Sequence, residues 1–202
     1  MKDKLFKRPL DLAILLSAHL VLFPVWLLLW ILIPLLIWLE DRGPVFYTQE
    51  RVGRNGRVFR VYKFRSMIPD AEKQTGAVWA SEHDPRVTKV GRVLRATAMD
   101  ELPQLWNILK GDMSFVGPRA ERPELVKKFA REIRNYRRRF EVRPGLTGVA
   151  QVYGRYDTPP RNKLRYDLLY VKKQSLLLDI KLILLSVWIT LKGKWESRQK
   201  KV

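Results

Sequence analysis

The chain has 202 residues, no cysteine, two histidines and a formal charge of +19. That length suits one ordinary domain plus an attachment, while the missing thiols exclude disulfides and thiolate metal centres and two histidines leave little for a zinc site. So large an excess of lysine and arginine calls for a polyanionic partner, whether nucleic acid, an anionic lipid surface or phosphorylated small molecules, and any metal would be a hard cation held by oxygen.

From Leu12 to Leu39 no residue carries a fixed charge, and His19 is the main polar interruption. The run exceeds the roughly 20 apolar residues that a spanning helix needs. Its length, and the lack of a small-residue cleavage site before Glu40, argue against a signal peptide. Pro24 falls near its middle and Pro34 further on, each removing a backbone hydrogen bond. Both flanks are basic: Lys2, Lys4, Lys7 and Arg8 precede the run, and Arg42, Arg51, Arg54 and Arg57 follow it. Positive charge on both sides pulls both ends to the cytoplasm. A helix that enters the bilayer, bends at Phe23-Pro24 and returns satisfies both pulls, with Ser17 or His19 serving the carbonyls freed at the bend. A tilted spanning helix is the alternative.

Glu40-Asp41-Arg42-Gly43-Pro44 is turn chemistry, which assigns residues 1–39 to a membrane anchor and 40–202 to a basic globular domain. Residues 45–49 and 57–64 read as strands, and Asn55-Gly56 between them signals a type I′ hairpin turn. Gly53 and Gly56 read as turn glycines, because neither a P-loop nor a dinucleotide fingerprint is complete. Lys63 and Arg65 end the hairpin as solvated or anion-binding cations. Residues 68 to 88 are polar and read as a long loop with one helical turn, of the kind that serves as a lid or binding loop. Residues 89 to 95 then bring further cations, Arg95 among them, up to Asp100.

The stretch from Ala98 to Asn107 is where chemistry is expected. Thr97 or Asp100 can cap a helix there, Pro103 fits its first turn, and Leu102, Leu105, Trp106 and Leu109 form an apolar stripe. The Asp100 carboxylate then lies at a helix N-terminus, an end that also suits phosphate. Taken alone, Asp100 reads as a cap and Glu101 as a solvated first-turn acid; the surrounding cations move the reading toward a site. Gly111 is expected to end this helix, and Gly117-Pro118 to turn the chain so that Arg119 is presented. Residues 123 to 140 read as one basic helix whose end, Tyr136-Arg137-Arg138-Arg139-Phe140, is a solvated face able to grip anionic headgroups. Arg143 lies among turn residues and Asp167 on a helix over 163–173. Residues 175 to 191 form a helix docked on the core or lying in the interface, with Trp188 near headgroup depth.

The ordered set Lys63-Phe64-Arg65-Ser66-Met67, Asp84-Pro85-Arg86, Gly91-Arg92, Leu94-Arg95, the run from Asp100 to Asn107, Gly111-Asp112-Met113-Ser114, Val116-Gly117-Pro118-Arg119 and the run from Arg143 to Gly148 resembles the bacterial sugar transferases, the monotopic phosphoglycosyl transferases, over nearly the whole chain. With the pattern above, the expected fold is α+β and mostly helical. It comprises an N-terminal re-entrant membrane helix-break-helix, a small β-hairpin and amphipathic interfacial helices around a cytoplasmic catalytic domain, at the inner membrane of a bacterium. The resemblance implies transfer of a sugar phosphate from a UDP-sugar to a polyprenyl phosphate such as undecaprenyl phosphate, with release of UMP, as a first membrane step of glycoconjugate assembly. It also implies Mg²⁺ and a covalent aspartyl intermediate. Carried onto this chain, Asp100 is the nucleophile and Glu101 a metal ligand or base, the two holding the metal. Arg119 binds phosphate, Arg143 contacts the nucleotide, Lys63, Arg95 and Asp167 complete the substrate site, and Pro24 breaks the membrane helix. Family members commonly have a serine before that proline, where this chain has Phe23. The implied partners are the UDP-sugar, the polyprenyl phosphate and membrane lipids, with no nucleic acid. A membrane-tethered nucleic-acid binder is the competing class, disfavoured because no reader motif accompanies the charge.

Overall fold

Two helices open the chain, α1 (Lys7–Val21) and α2 (Phe23–Asp41), in a computed structural model that describes residues 3–73, 76, 81, 84–197, 199 and 202. Lys2 of the basic flank and residues 74, 75, 77–80, 82 and 83 of the expected long loop lie outside the described residues. Leu22 (φ −103°, ψ 20°) separates the helices, and Pro24 sits in the first turn of α2, where a missing N–H has no partner to lose. The break therefore falls one residue before the expected Phe23-Pro24, and α2 runs on through Pro34.

Neither Ser17 nor His19 serves the bend. The Ser17 hydroxyl donates to Ala13 O at 2.7 Å, and His19 Nδ1 lies 2.7 Å from Leu15 O, so each bonds its own preceding turn. Trp26 spans the bend: its indole Nε1 donates at 3.1 Å to Ala18 O, which also accepts from Leu22 N, and its ring stacks on His19 with centroids 4.9 Å apart. In a straight helix residues 18 and 26 would be separated by about 12 Å along the axis, so this contact requires the chain to bend at Leu22.

Both ends of the helix pair fasten to one body. At the start of α1, Lys7 Nζ donates to Val116 O, to the Tyr170 hydroxyl and to Asp179, Arg8 donates to Ile108 O and Leu109 O, and Asp11 accepts from Ser114 Oγ and Phe115 N. Lys7 is only 2% exposed, so this flanking cation is held inside the protein and does not face headgroups. At the far end, the Glu40 carboxylate accepts from the first N–H groups of α3 (Lys89–Ala96), those of Lys89 and Val90, at 2.6 and 3.1 Å, and Asp41 pairs with Arg65. Between the two fastenings Leu16, Leu20, Val21, Phe23, Leu28 and Ile31 are exposed. Among the described residues α2 alone is long and apolar enough to cross a membrane.

Strands β1 (Phe46–Val52) and β2 (Val58–Phe64) pair antiparallel, Phe46 opposite Phe64 and Val52 opposite Val58. Asn55 (φ 57°) and Gly56 (φ 79°) take the positive φ that the Asn-Gly signal predicts. The turn is longer than a two-residue type I′, however: Gly53 N–H donates to Arg57 O around a 3-10 segment, and β1 extends through Val52. After α4 (Leu105–Lys110), ended by Gly111 at φ 89°, comes a parallel pair that the sequence reading missed, β3 (Ser114–Val116) with β4 (Gly145–Thr147). The expected single helix over 123–140 is broken. Its first part is α5 (Pro123–Glu132), and Asn135 at φ 63° then leads into a 3-10 segment, Tyr136–Glu141. The chain closes with α6 (Val149–Tyr153), α7 (Pro160–Lys173) and α8 (Leu176–Leu191).

The core joins these parts. Val116, Val142, Val152, Tyr170, Leu182 and Ile189 pack where β3 and β4 meet α7 and α8. Leu15 packs with Val61, Leu105, Ile108 and Met113, and Ile33 and Ile37 pack with Phe64 and Leu94, so the inner faces of the helix pair are part of the domain's own core. One face of α8 is docked through Asp179, Leu182, Ser186 and Ile189, while Leu177, Leu184, Trp188 and Leu191 are exposed on the other.

At one point backbones touch: a Cβ on Gly91 would lie 2.0 Å from Ser66 O. Gly91→Ala must therefore push α3 away from the end of β2. The expected cost is about 3 kcal/mol, seen as a lower denaturant midpoint for the detergent-solubilised variant.

Candidate active site

The 3-10 segment Met99–Gln104 carries both carboxylates. It follows Ala98 in the left-handed region (φ 56°), and neither expected side-chain cap forms: Thr97 Oγ1 donates back to Val93 O at 2.9 Å, closing α3, and Asp100 lies inside the segment. A left-handed alanine and a proline in the following turn force a tight coil, which buries Asp100 and Glu101 against the end of β2. There Lys63 Nζ lies 2.6 Å from Glu101 Oε1 and 3.5 Å from Asp100 Oδ2. The half-exposed Arg119 guanidinium donates from Nη2 to Glu101 Oε1 at 2.7 Å. The Gly117-Pro118 turn thus presents Arg119, and the structure brings Lys63, Asp100, Glu101 and Arg119 together. Arg65 goes elsewhere, to Asp41 and Pro44 O.

Adjacent buried carboxylates cannot ionise alike. Burial pushes the Asp100 carboxyl up; Lys63 opposes this, the Glu101 charge adds to it, and Arg95 and Arg119 pull back. Burial would raise Glu101 too, but Arg119 and Lys63 outweigh it and hold that carboxyl well below the usual range. Arg119 is driven up in turn, chiefly by Glu101. Glu101 is a fixed anion bound by two cations, and Asp100 is the less committed, more basic oxygen donor.

Arg95 reaches Asp100 through its charge, while its guanidinium donates to the Tyr156 hydroxyl at 3.3 Å and pairs with Glu196. Arg143 is not brought to the carboxylates: it donates to Asp3 Oδ2 at 2.7 Å and to Gly111 O at 2.9 Å. Nor is Asp167, which pairs with Arg139 at 2.8 Å. That pairing corrects the reading of 136–140 as a solvated face, which holds only for Arg137 and Arg138. Arg139 is 3% exposed and donates to the Tyr136 hydroxyl at 2.6 Å and to the Arg119 carbonyl at 2.8 Å, with Glu121 at 4.0 Å. It braces the backbone of the arginine that holds Glu101, and Asp167 acts on the site through it. A sequence signal for this existed: Asp167 shares the buried stripe Leu164, Tyr170 and Val171 of α7, and a carboxylate on such a stripe needs a buried partner.

Burial pushes Asp167 up to about 6 against the pull of Arg139, with Glu121 adding and Lys163 opposing. The folded value thus lies above the ordinary 3.8. Its contribution to stability is present below that ordinary value and lost as pH rises through about 6, a change of about 3 kcal/mol. Denaturant midpoints measured between about pH 4 and pH 7 should show wild type losing this margin relative to Asp167→Asn, which has no proton to release.

Among the described residues no three acidic, histidine or cysteine side chains converge as a metal cage. Asp100 and Glu101 nevertheless offer two hard carboxylates side by side. That donor set fits Mg²⁺, which takes its other ligands from water and substrate phosphate.

Such a site, set beside an apolar helix pair, is what a membrane-associated transferase of phosphorylated substrates requires. The chain belongs to the bacterial sugar transferase family, whose model matches residues 2–193. It is 44% identical over 192 residues to the UDP-N-acetylgalactosamine-undecaprenyl-phosphate N-acetylgalactosaminephosphotransferase of Aeromonas hydrophila, covering 93% of this chain and 44% of that protein. It is 42% identical over 193 residues to the undecaprenyl-phosphate glucose phosphotransferase of Komagataeibacter xylinus, covering 92% of this chain and 36% of that one. The exopolysaccharide production protein PSS of Rhizobium leguminosarum bv. phaseoli is 40% identical over 189 residues, covering 90% of this chain and 92% of the relative. The chain thus spans less than half the length of the first two relatives and nearly all of the third.

Proposed function

We propose that this protein transfers a sugar phosphate from a UDP-sugar to a polyprenyl phosphate, undecaprenyl phosphate being the carrier named in its relatives, with release of UMP. The reaction would open the membrane stage of glycoconjugate assembly, exopolysaccharide included. The observation that carries the reading is the asymmetry of the carboxylate pair, with Glu101 bound by Lys63 and Arg119 and Asp100 left the more basic oxygen. An Asp100 oxygen attacks the phosphorus that bears the sugar, forming an acyl phosphate as the bond to UMP breaks. A phosphate oxygen of the lipid then attacks the same phosphorus, and the aspartate leaves. Two displacements replace one encounter between large anions. Lys63, Arg119 and Arg95 supply positive charge where phosphate oxygens gather, which is most of what phosphoryl-type transfer asks of a protein. Asp100 and Glu101 would hold Mg²⁺, whose charge, when it is bound, offsets that of the diphosphate. A nucleotide contact by Arg143 would require it to leave Asp3, so the geometry favours a structural role for that side chain.

Residues 1–39 act in this reading as a re-entrant, monotopic anchor and 40–202 as the catalytic domain on the cytoplasmic face. Support comes from the helix pair, held at both ends by one body and apolar in between. Single cysteines at Lys4 and Asn55, both exposed, should label from the same side of the membrane with an impermeant reagent, and labelling from opposite sides would reject the anchor. The activity is tested by incubating purified protein with a panel of UDP-sugars and Mg²⁺. One sugar should give UMP release and a phospho-sugar mass adduct, and absence of both across the panel would overturn the assignment. Nothing in the site or its relatives favours nucleic-acid binding.

A further inference from the structure

An apolar cleft of about 510 Å³ lies between the helix pair and the segment that carries the carboxylates. Leu15 and Trp30 line it from α1 and α2, Tyr62 from β2, and Pro103, Leu105 and Trp106 from the carboxylate segment and α4. We propose that this cleft receives the first isoprene units of the acceptor's tail, an inference that rests on the acceptor being a polyprenyl phosphate.

Position is the first argument. A 3-10 turn rises about 2 Å per residue and eclipses side chains three apart. Asp100 and Pro103 therefore share one edge of the turn, about 6 Å apart along its axis. A lipid phosphate at Asp100 would thus lie about one 3-10 turn from Pro103, which lines the cleft.

Chemistry is the second. A UDP-sugar has no apolar portion of this size, whereas an unsaturated hydrocarbon suits walls of leucine, proline and aromatic rings. Trp106 is 53% exposed, and Trp30, whose ring meets Phe64 edge-on, is open on its other side, so large apolar faces converge on the cleft. Lys110 Nζ stands 5.9 Å from the Tyr62 ring and 6.0 Å from the Trp106 ring, so a cation lies against two aromatic members of the wall. The cleft also continues the proposed anchor, since Leu15 and Trp30 belong to its two helices.

The two displacements make the inference separable from the function on which it rests, because the first needs no acceptor. Trp106→Glu should raise the KM for undecaprenyl phosphate about tenfold, while UMP release in a single turnover without acceptor keeps its wild-type rate. That same half-reaction reports that the variant is folded. Wild-type protein that forms no adduct refutes the function; normal adduct formation together with an unchanged acceptor KM in the variant refutes the cleft. A benzophenone amino acid at position 106, irradiated in phosphatidylethanolamine and phosphatidylglycerol vesicles containing undecaprenyl phosphate, gives an independent reading. Attachment of the isoprenoid supports the cleft, and attachment of phospholipid acyl chains alone overturns it.

Discussion

Asp100→Asn is expected to lower transfer by at least roughly 10⁴-fold, and to leave no phospho-sugar adduct in the intact-protein mass spectrum. The change is nearly isosteric, and Lys63 keeps its shorter contact, at 2.6 Å, to Glu101. The loss therefore reports chemistry and not collapse of the coil. What disappears is the carboxylate that burial makes the more basic of the pair, and that Lys63 approaches less closely than it does Glu101. Glu101→Gln should behave differently. It keeps the proposed nucleophile but frees Arg119 and Lys63 from the anion that holds them, so adducts should still form, at a rate lower by about 10²-fold. An undiminished adduct on the Asp100→Asn protein would remove Asp100 from the reaction, and equal losses in the two variants would remove the division of roles.

Local features of the site were legible in the sequence because their causes are local. Two adjacent acids before Pro103, with Lys63 and Arg65 closing a hairpin marked by Asn55-Gly56, suffice to suggest an anion-handling centre. Even there the sequence could not tell Lys63 from Arg65. An unbroken strand would put both on one face, but β2 ends at Phe64, so Lys63 reaches the carboxylates while Arg65, beyond the strand, fastens the end of α2.

Features that depend on distant pairs were not legible. Arg139 sits in a run of arginines with nothing to mark it, and only the fold brings Asp167 to it and its guanidinium to the Arg119 carbonyl. The β3 and β4 strands have three residues each, too few for an alternation to declare itself. Lys7 read as one of the flanking charges that draw this end to the cytoplasm, yet its partner Asp179 lies on the apolar helix α8, far along the chain. The positive-inside argument thus counted as surface charge a lysine that rivets α1 to α8. The bend itself was legible from Pro24, but not the contact that spans it, because an indole can reach back across a break only once the chain has turned.

Lys63→Met carries the second large expectation, a loss of about 10² to 10³-fold in kcat/KM. Of the cations around the pair, Lys63 is the one that lies near both carboxylates, and among the charges acting on Asp100 it opposes burial most strongly. Without it Glu101 still has Arg119, whereas Asp100 loses its main support and its carboxyl rises further. The sign of the pH effect follows. In the proposed reaction the attacking species is the carboxylate, so raising its pKa lowers the ionised fraction at any pH on the acid side. The acid limb of the rate profile should move to higher pH, and part of the loss should be recovered as the medium is made more alkaline. Profiles of kcat/KM for UMP release, taken between about pH 5 and pH 9, separate this from a simpler role. If Lys63 only met substrate phosphate, the whole curve would drop without moving. A displaced acid limb would tie the lysine to the nucleophile's charge, and an unmoved one would assign its effect to the substrate.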